Sequence, residues 1–147
     1  MKYHQGKFTP KNPDKYAGDA TKITFRSGWE KKAMVFFDTN PAILKWNSEE
    51  KIIPYISPLD GRAHRYFPDF LVAVKTKTGE VKKIMVEVKP LKQCSPPTQK
   101  KQTKRLITET HTYLVNQAKW DAAKAWCDKN GFGFQLLTEI ELGIGKK

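Results

Sequence analysis

The sequence predicts an α/β fold, with a mixed central sheet flanked by helices and the element order α-β-β-β-α-β. Three observations lead to this class. An amphipathic helical pattern begins near residue 27, three strand-like runs follow between residues 51 and 89, and a second helical pattern precedes a last short strand. A helix between two strands favours a crossover connection, so the last strand is expected to run parallel to the third.

The first helix is predicted from Ser27 to Asn40-Pro41, within "SGWEKKAMVFFDTNP". Its apolar residues recur at helical spacing, and a residue before proline disfavours helical geometry, so the helix should end there. "PAILKW" is interpreted as a second short helical turn. "KIIPYIS" is predicted as the first strand, and Pro54 restricts it to the edge of a sheet.

The second and third strands are predicted to form a hairpin. "RAHRYFPDFLVAV" and "VKKIMVEVK" are joined through "KTKTGE", which suits a three-residue loop centred on Thr78 with Gly79 in the left-handed conformation. That loop places Phe70 opposite Val86, so that the β-branched faces of both strands are buried together. Asp69 then lies opposite Glu87.

The flanking segments complete the domain, which is predicted over residues 23–147. Residues 1–22 are polar, basic and broken by prolines, and are interpreted as a basic N-terminal arm or a wrapped extension. From Pro90 the chain is expected to be irregular, and a helical or mixed segment follows to about Val115, within residues 91–115. Asn116 is predicted to cap a helix that Asn130-Gly131 ends, followed by the strand "FGFQLL" and a short helix starting at Thr138.

Composition points to a nucleic-acid partner. The 147 residues are 39% hydrophobic, which is enough for one domain with a core, and the net charge is +12. No apolar run is long enough to span a membrane, and no secretory signal is evident at the N-terminus, so no membrane partner is expected. The two cysteines are expected to be free thiols. The histidines and cysteines lack the spacing of a zinc site, and without a glycine-rich phosphate loop no nucleotide cofactor is expected.

Charged side chains on the predicted hairpin indicate a metal site. Glu87 and Lys89 share one strand face, and Asp69 faces Glu87 from the neighbouring strand. Two opposed carboxylates repel each other, and a divalent cation relieves this repulsion. Their hard oxygen atoms suit Mg²⁺ or Mn²⁺. Lys89, beside the expected metal, is placed to orient a water or to stabilise negative charge on a phosphate.

Pro68-Asp69 followed by Glu87-Val88-Lys89 resembles the motif of the PD-(D/E)XK nuclease superfamily, whose members share this element order. A longer resemblance, from "FRSGWEKKAMVFF" to "FQLLTE", is to the TnsA-type transposon-end endonucleases and to the head-completion nucleases of tailed phages. It implies Mg²⁺-dependent phosphodiester cleavage, with Asp69, Glu87 and Lys89 at the motif positions and Glu30 as a third acidic residue. The Val88 backbone carbonyl is expected as a further metal ligand.

The phage resemblance implies that DNA ends, or branched or flapped DNA, are trimmed or resolved during head completion. It further implies phage head or portal proteins as partners, and the cytoplasm of the infected bacterial host, or the virion, as the location. Two alternatives stand beside it. The chain could be the DNA-cleaving subunit of a TnsA-type transposase, which the absence of an additional C-terminal domain disfavours, or a non-catalytic DNA-binding head protein.

Several residues have an ordinary structural interpretation beside the functional one. Ser27-x-x-Glu30 is also a capping box, in which Glu30 would bond back to the Ser27 backbone N–H. His64 and Arg65 are expected either to contact DNA phosphates or to be surface charges. Lys119 is expected either to approach the substrate or to be solvated. The run from Lys100 to Arg105 is a basic face expected near the DNA backbone.

Overall fold

The structure is a computed structural model that describes residues 5–98 and 103–143. Short 3₁₀ turns occupy Pro13–Lys15 and Leu91–Cys94. The longer elements, in chain order, are β1 (Gly6–Lys7), β2 (Thr24–Phe25), α1 (Gly28–Thr39), β3 (Ile43–Ser48), β4 (Ile53–Ile56), β5 (Ala63–Tyr66), β6 (Phe70–Lys75), β7 (Val81–Val88), α2 (Lys104–Asn130), β8 (Phe132–Leu137) and α3 (Glu139–Leu142).

The central sheet has four strands in the order β3-β6-β7-β8. The first two pairings are antiparallel, and β7 and β8 are parallel, with α2 as the connection between them. One face of the sheet packs against α1 and the N-terminal segment, and the other packs against α2. The predicted α/β class and the order α-β-β-β-α-β are therefore confirmed, as α1-β3-β6-β7-α2-β8.

The first strand of this order is not the predicted one. The segment interpreted as a helical turn, "PAILKW", contains β3, which pairs with β6. The register shifts between Ile43 and Lys45, so Leu44 is an extra residue on the bulged strand. The bulge brings Ile43 and Trp46 to the same buried face although they are three residues apart. This spacing imitates a helix, which explains why the prediction was wrong.

The predicted first strand forms a separate hairpin. β4 pairs with β5 in a two-stranded sheet outside the central one and contacts α2. The predicted second strand was likewise wrong in its extent, because the chain leaves the strand at Phe67-Pro68 and divides it into β5 and β6. Proline has no N–H for a continuous ladder, which favours a break at this position.

Helix α2 is one helix of 27 residues, and the predicted start at Asn116 was wrong. Its buried residues begin at Asn116 and continue through Trp120, Ala123 and Cys127, so the apolar stripe covers only the second half. Helix α2 is also longer than the sheet strands, because its 27 residues span about 40 Å while the eight residues of β7 span about 26 Å. Neither α2 nor any other described helix is apolar over a membrane-spanning length.

Part of the N-terminal segment described by the structure, from residue 5 onward, belongs to the core. Phe8, Tyr16, Ile23 and Phe25 are buried against α1 and β3, and β1 pairs with β2. Buried Asp38 on α1 fastens this segment by accepting hydrogen bonds from two backbone N–H groups, those of Lys11 (2.8 Å) and Asn12 (3.0 Å). The described part of residues 1–22 is thus a wrapped extension, while a domain boundary at residue 22 stays a prediction.

We expect Asp38→Ala to lower the free energy of unfolding by about 2–4 kcal/mol, because two backbone donors lose a charged acceptor in a partly buried position. Urea denaturation followed by circular dichroism measures this difference. Asp38→Asn keeps one acceptor oxygen and should lose less. Equal stability of Asp38→Ala and the parent protein would show that the wrapped segment contributes little to the fold.

Candidate active site

The β6–β7 hairpin brings the two predicted carboxylates together. Its register pairs Phe70 with Val86, as predicted, and Gly79 in the connecting turn has a φ of +88°. Asp69 directly precedes Phe70 and Glu87 directly follows Val86, so the two carboxylates lie one residue beyond this pair at the same end of the hairpin. The Asp69 N–H donates to Glu87 Oε1 (3.3 Å), and the Val88 N–H donates to Asp69 Oδ2 (2.8 Å). Each carboxylate therefore receives a backbone hydrogen bond from the strand that carries the other.

Glu87 is a buried carboxylate with specific partners, and only 5% of its surface is exposed. The Tyr66 hydroxyl donates to its Oε1 at 2.7 Å, and Lys89 Nζ lies 3.8 Å from its Oε2. Buried charges persist in proteins when they are paired and hydrogen-bonded in this way. The hydrogen bond from Tyr66 also ties the β4–β5 hairpin to the site.

The electrostatics of the site disfavour negative charge. Burial, and then repulsion by Glu87 and Glu30, raise the pKa of Asp69 well above its usual value. Burial also raises the pKa of Glu87, against which the charge of Lys89 acts. These two carboxylates are thus held close together in a setting that penalises their ionised forms, which is the electrostatic condition that a bound cation relieves.

Glu30 enters the site from the first turn of α1. Its N–H donates to the Ser27 side chain (3.2 Å), so Ser27 caps the helix as predicted. The Glu30 side chain accepts from the Arg26 N–H (3.2 Å) and not from the Ser27 N–H, so the reciprocal bond of the alternative capping-box interpretation is not formed. Burial raises the pKa of Glu30, and repulsion by Glu49 and Glu87 adds to this.

Two lysines flank the acidic residues. Lys89 follows β7, and its side chain is 28% exposed. Lys119 approaches from α2, with Nζ 5.8 Å from the centre of the Tyr66 ring. Burial, and then the charge of Lys89, lower the pKa of Lys119, whereas Glu87 and Asp69 oppose this. Lys119 therefore lies within the electrostatic reach of the carboxylates.

His64 and Arg65 lie on β5, the strand that ends in Tyr66. The His64 ring contacts Asp60 on the hairpin turn, with Nε2 and Oδ2 2.8 Å apart, and Arg65 pairs across the hairpin with Pro54. Neither side chain makes a hydrogen bond to Asp69 or Glu87 within the described residues. Their contact with DNA stays a prediction.

The predicted basic run from Lys100 to Arg105 is only partly described. Arg105 Nε lies 3.7 Å from Glu109 Oε1, while residues 100–102 fall outside the described residues.

Tyr66, Arg26 and Glu49 belong to the site and were not identified from the sequence. The Nε atom of exposed Arg26 lies 2.9 Å from Glu49 Oε2, and the Glu49 N–H donates to the Asp69 carbonyl at 3.1 Å. No local motif marks Tyr66 or Glu49. Tyr66 ends β5, whose extent was predicted wrongly, and Glu49 follows β3, which was predicted as a helical turn. Only the position of Arg26 in "FRSGWE" offered a signal.

Glu49 has a left-handed backbone, with a φ of +54°, and is the one non-glycine residue with positive φ among those described. For most L-residues this conformation costs roughly 1–2 kcal/mol. An exposed ion pair such as that between Glu49 and Arg26 contributes about 0–1 kcal/mol. The pair therefore does not offset the strain, and strained residues of this kind cluster at functional sites.

The donor set fits a hard divalent cation in its chemistry. Asp69 uses Oδ2 for the Val88 N–H, which leaves Oδ1 facing away from that bond, and the mutual repulsion with Glu87 favours a cation between them. In residues 5–98 and 103–143, no three side chains of His, Cys, Asp or Glu come close enough to form a complete metal-binding group. Glu30 thus approaches the pair without closing a three-carboxylate cluster.

The fold and the site together define an α/β nuclease-type domain, with paired carboxylates and a lysine at the open end of a strand hairpin. Residues 40–139 match the family model described as "TnsA-like endonuclease N terminal". The chain is also 40% identical over 141 residues to the "Head completion nuclease" of Enterobacteria phage T4, covering 92% of this chain and 91% of that protein. The chain belongs to the TnsA-like endonuclease family, and the predicted family relation is confirmed.

We expect Asp69→Asn to raise the unfolding temperature in EDTA at pH 8, because it removes a penalised charge while an amide oxygen can still accept from Val88. A raised pKa in the folded state means that the stabilising protonated form is lost as pH rises. The advantage of the variant should therefore shrink at pH 5. For a chain of this length, about 2–4 °C corresponds to 1 kcal/mol.

Differential scanning fluorimetry at both pH values measures this effect, with the exposed Asp121→Asn as the control. A variant less stable than the parent protein at both pH values would contradict the electrostatic description of the site.

Proposed function

We propose that this protein is a Mg²⁺- or Mn²⁺-dependent endonuclease that hydrolyses phosphodiester bonds in DNA. The observation that carries the proposal is the cross-strand pair of Asp69 and Glu87 with Lys89 beside it. Membership of an endonuclease family supports the reaction class. The net charge of +12 supports an anionic polymer as the substrate.

Asp69, Glu87, Glu30 and the Val88 carbonyl would hold the metal. When bound, the ion would supply Lewis-acid stabilisation of the phosphoryl oxygens and a lowered pKa for a bound water. Tyr66 fixes the orientation of Glu87 through its short hydrogen bond. Lys89 would orient the attacking water and neutralise charge that develops on the phosphate, a role supported by the 3.8 Å distance between its Nζ and Glu87 Oε2.

The proposed biological role follows from the phage relative. That protein is named a head completion nuclease, and the similarity extends over nearly the full length of both chains. By this relation, the protein would trim DNA ends or resolve branched or flapped DNA during head completion in the infected bacterial host. Portal or other head proteins would be its partners, and the protein would also associate with the virion.

His64, Arg65 and Lys119 are proposed to contact DNA.

We expect the purified protein to cut labelled DNA in Mg²⁺ but not in Ca²⁺, and to prefer flapped or Y-shaped DNA over plain duplex. Asp69→Ala should bind DNA without cutting it, because the site loses a carboxylate ligand while the basic surface is unchanged. Gel-based cleavage and fluorescence anisotropy measure the two properties. Full cleavage by Asp69→Ala would refute the assigned site. Binding without cleavage by the parent protein would favour a scaffold or a transposase subunit that requires a partner.

We expect Tyr66→Phe to lower kcat by about 10-fold while the fold is retained, because Glu87 loses the hydroxyl that orients it. Steady-state cleavage and thermal unfolding should be compared with those of Tyr55→Phe, a variant on the neighbouring strand of the same hairpin. If both variants lose activity equally, the effect belongs to the hairpin and not to the hydrogen bond.

A further inference from the structure

An exposed guanidinium stands at the rim of the acidic site. The Arg26 side chain is 67% exposed, yet its Nε atom is held 2.9 Å from Glu49 Oε2. Its backbone N–H holds Glu30, so both the side chain and the main chain of this residue are tied to the site. In the described part of the chain, the two terminal nitrogens of Arg26 make no hydrogen bond.

The carboxylate that holds Arg26 is itself fixed to the centre of the site. The Glu49 N–H donates to the carbonyl of Asp69, and the left-handed backbone of Glu49 directs the chain out of β3 at this point. A glycine would adopt this conformation without strain. Since the exposed ion pair does not offset the strain, stability does not explain why a glutamate occupies the position.

We propose that Arg26 binds a phosphate group of the DNA substrate beside the bond to be cleaved, and that Glu49 positions the guanidinium for this contact. This inference rests on the proposed function and adds a substrate-binding residue to it. A guanidinium carries five N–H donors in a planar fork that matches phosphate oxygens. With Nε held by Glu49, the terminal nitrogens remain for the phosphate.

The charge of the site supports the same assignment. A DNA phosphate that approaches Asp69 also meets the negative charges of Glu30, Glu49 and Glu87. Arg26 is a cation on the α1 side of this group, whereas Lys89 directly follows β7 and Lys119 lies on α2. A phosphate bridging these sides would be contacted by cations from both faces of the sheet, which gives Arg26 a role that the two lysines do not fill.

The first test compares Arg26→Ala and Arg26→Lys with the parent protein. DNA binding is measured by anisotropy in Ca²⁺ over a range of salt concentrations, and cleavage is measured in Mg²⁺. Arg26→Ala should lower kcat/KM by about 10- to 100-fold, because a charged hydrogen bond to the phosphate is lost. It should also reduce the salt slope of binding by about one. Arg26→Lys should keep the slope and lose part of kcat/KM.

Lys82→Ala is the charge-matched control, since exposed Lys82 lies on β7 toward the end opposite Glu87, and its kcat/KM should stay within about twofold of the parent value.

The second test asks whether Glu49 acts through Arg26. Glu49→Gln keeps an acceptor for the Nε–H, whereas Glu49→Gly removes the acceptor and relieves the strained backbone. Glu49→Gly should unfold at a temperature a few °C higher, yet cut DNA more slowly than Glu49→Gln. Adding Glu49→Gly to Arg26→Ala should cause little further loss, because residues that act together are not additive.

The outcomes separate this inference from the proposed function. If the parent protein cuts DNA, and Arg26→Ala matches it in kcat/KM and in salt slope, the role of Arg26 is refuted while the nuclease assignment stands. If Glu49→Gln abolishes cleavage and Arg26→Ala does not, Glu49 acts directly at the site and the inference is wrong. If the parent protein binds DNA without cutting, the salt slope still decides whether Arg26 contacts phosphate.

Discussion

The antiparallel register of β6 and β7 is the constraint on which the site depends. Phe70 faces Val86, and because strand side chains alternate, this single pairing buries one face against α1 and places Asp69 beside Glu87 on the other. A slip of one residue would turn the side chains of one strand to the opposite face, so that Asp69 and Glu87 would no longer lie together. The stability of the hydrophobic core and the geometry of the acidic pair are therefore specified by the same hydrogen-bond ladder.

Burial and mutual repulsion disfavour the ionised forms of Asp69 and Glu87, and neighbouring groups offset part of this penalty. Backbone N–H groups, the Tyr66 hydroxyl and Lys89 each act on these carboxylates, yet burial still raises the pKa of both. The left-handed backbone of Glu49 is a second unfavourable feature a few ångströms from the first. Strained or electrostatically costly residues of this kind cluster at functional sites, so these two features at one end of the sheet support the proposed function.

The elements around the sheet also contribute to the surroundings of Asp69 and Glu87. The parallel pairing of β7 with β8 requires α2 to run back along the sheet. The β4–β5 hairpin, inserted between two core strands, reaches Glu87 through Tyr66. The N-terminal segment packs on α1 and β3 and thereby supports the turn that carries Arg26 and Glu30. Three peripheral segments thus converge on one end of the sheet.

The sequence by itself determined the fold class, the β6–β7 hairpin, the parallel crossover and the identity of the acidic pair. These features follow from local periodicity, a glycine turn and a two-residue alternation, all of which are short-range properties of the chain. Tertiary structure decided the rest. The bulge at Leu44 made a strand look helical, and the polar first half of α2 concealed its length. The contact of Tyr66 with Glu87 joins residues 21 positions apart, and that of Arg26 with Glu49 joins residues 23 positions apart. Such contacts depend on how separate elements pack, and no pattern within a single element encodes them.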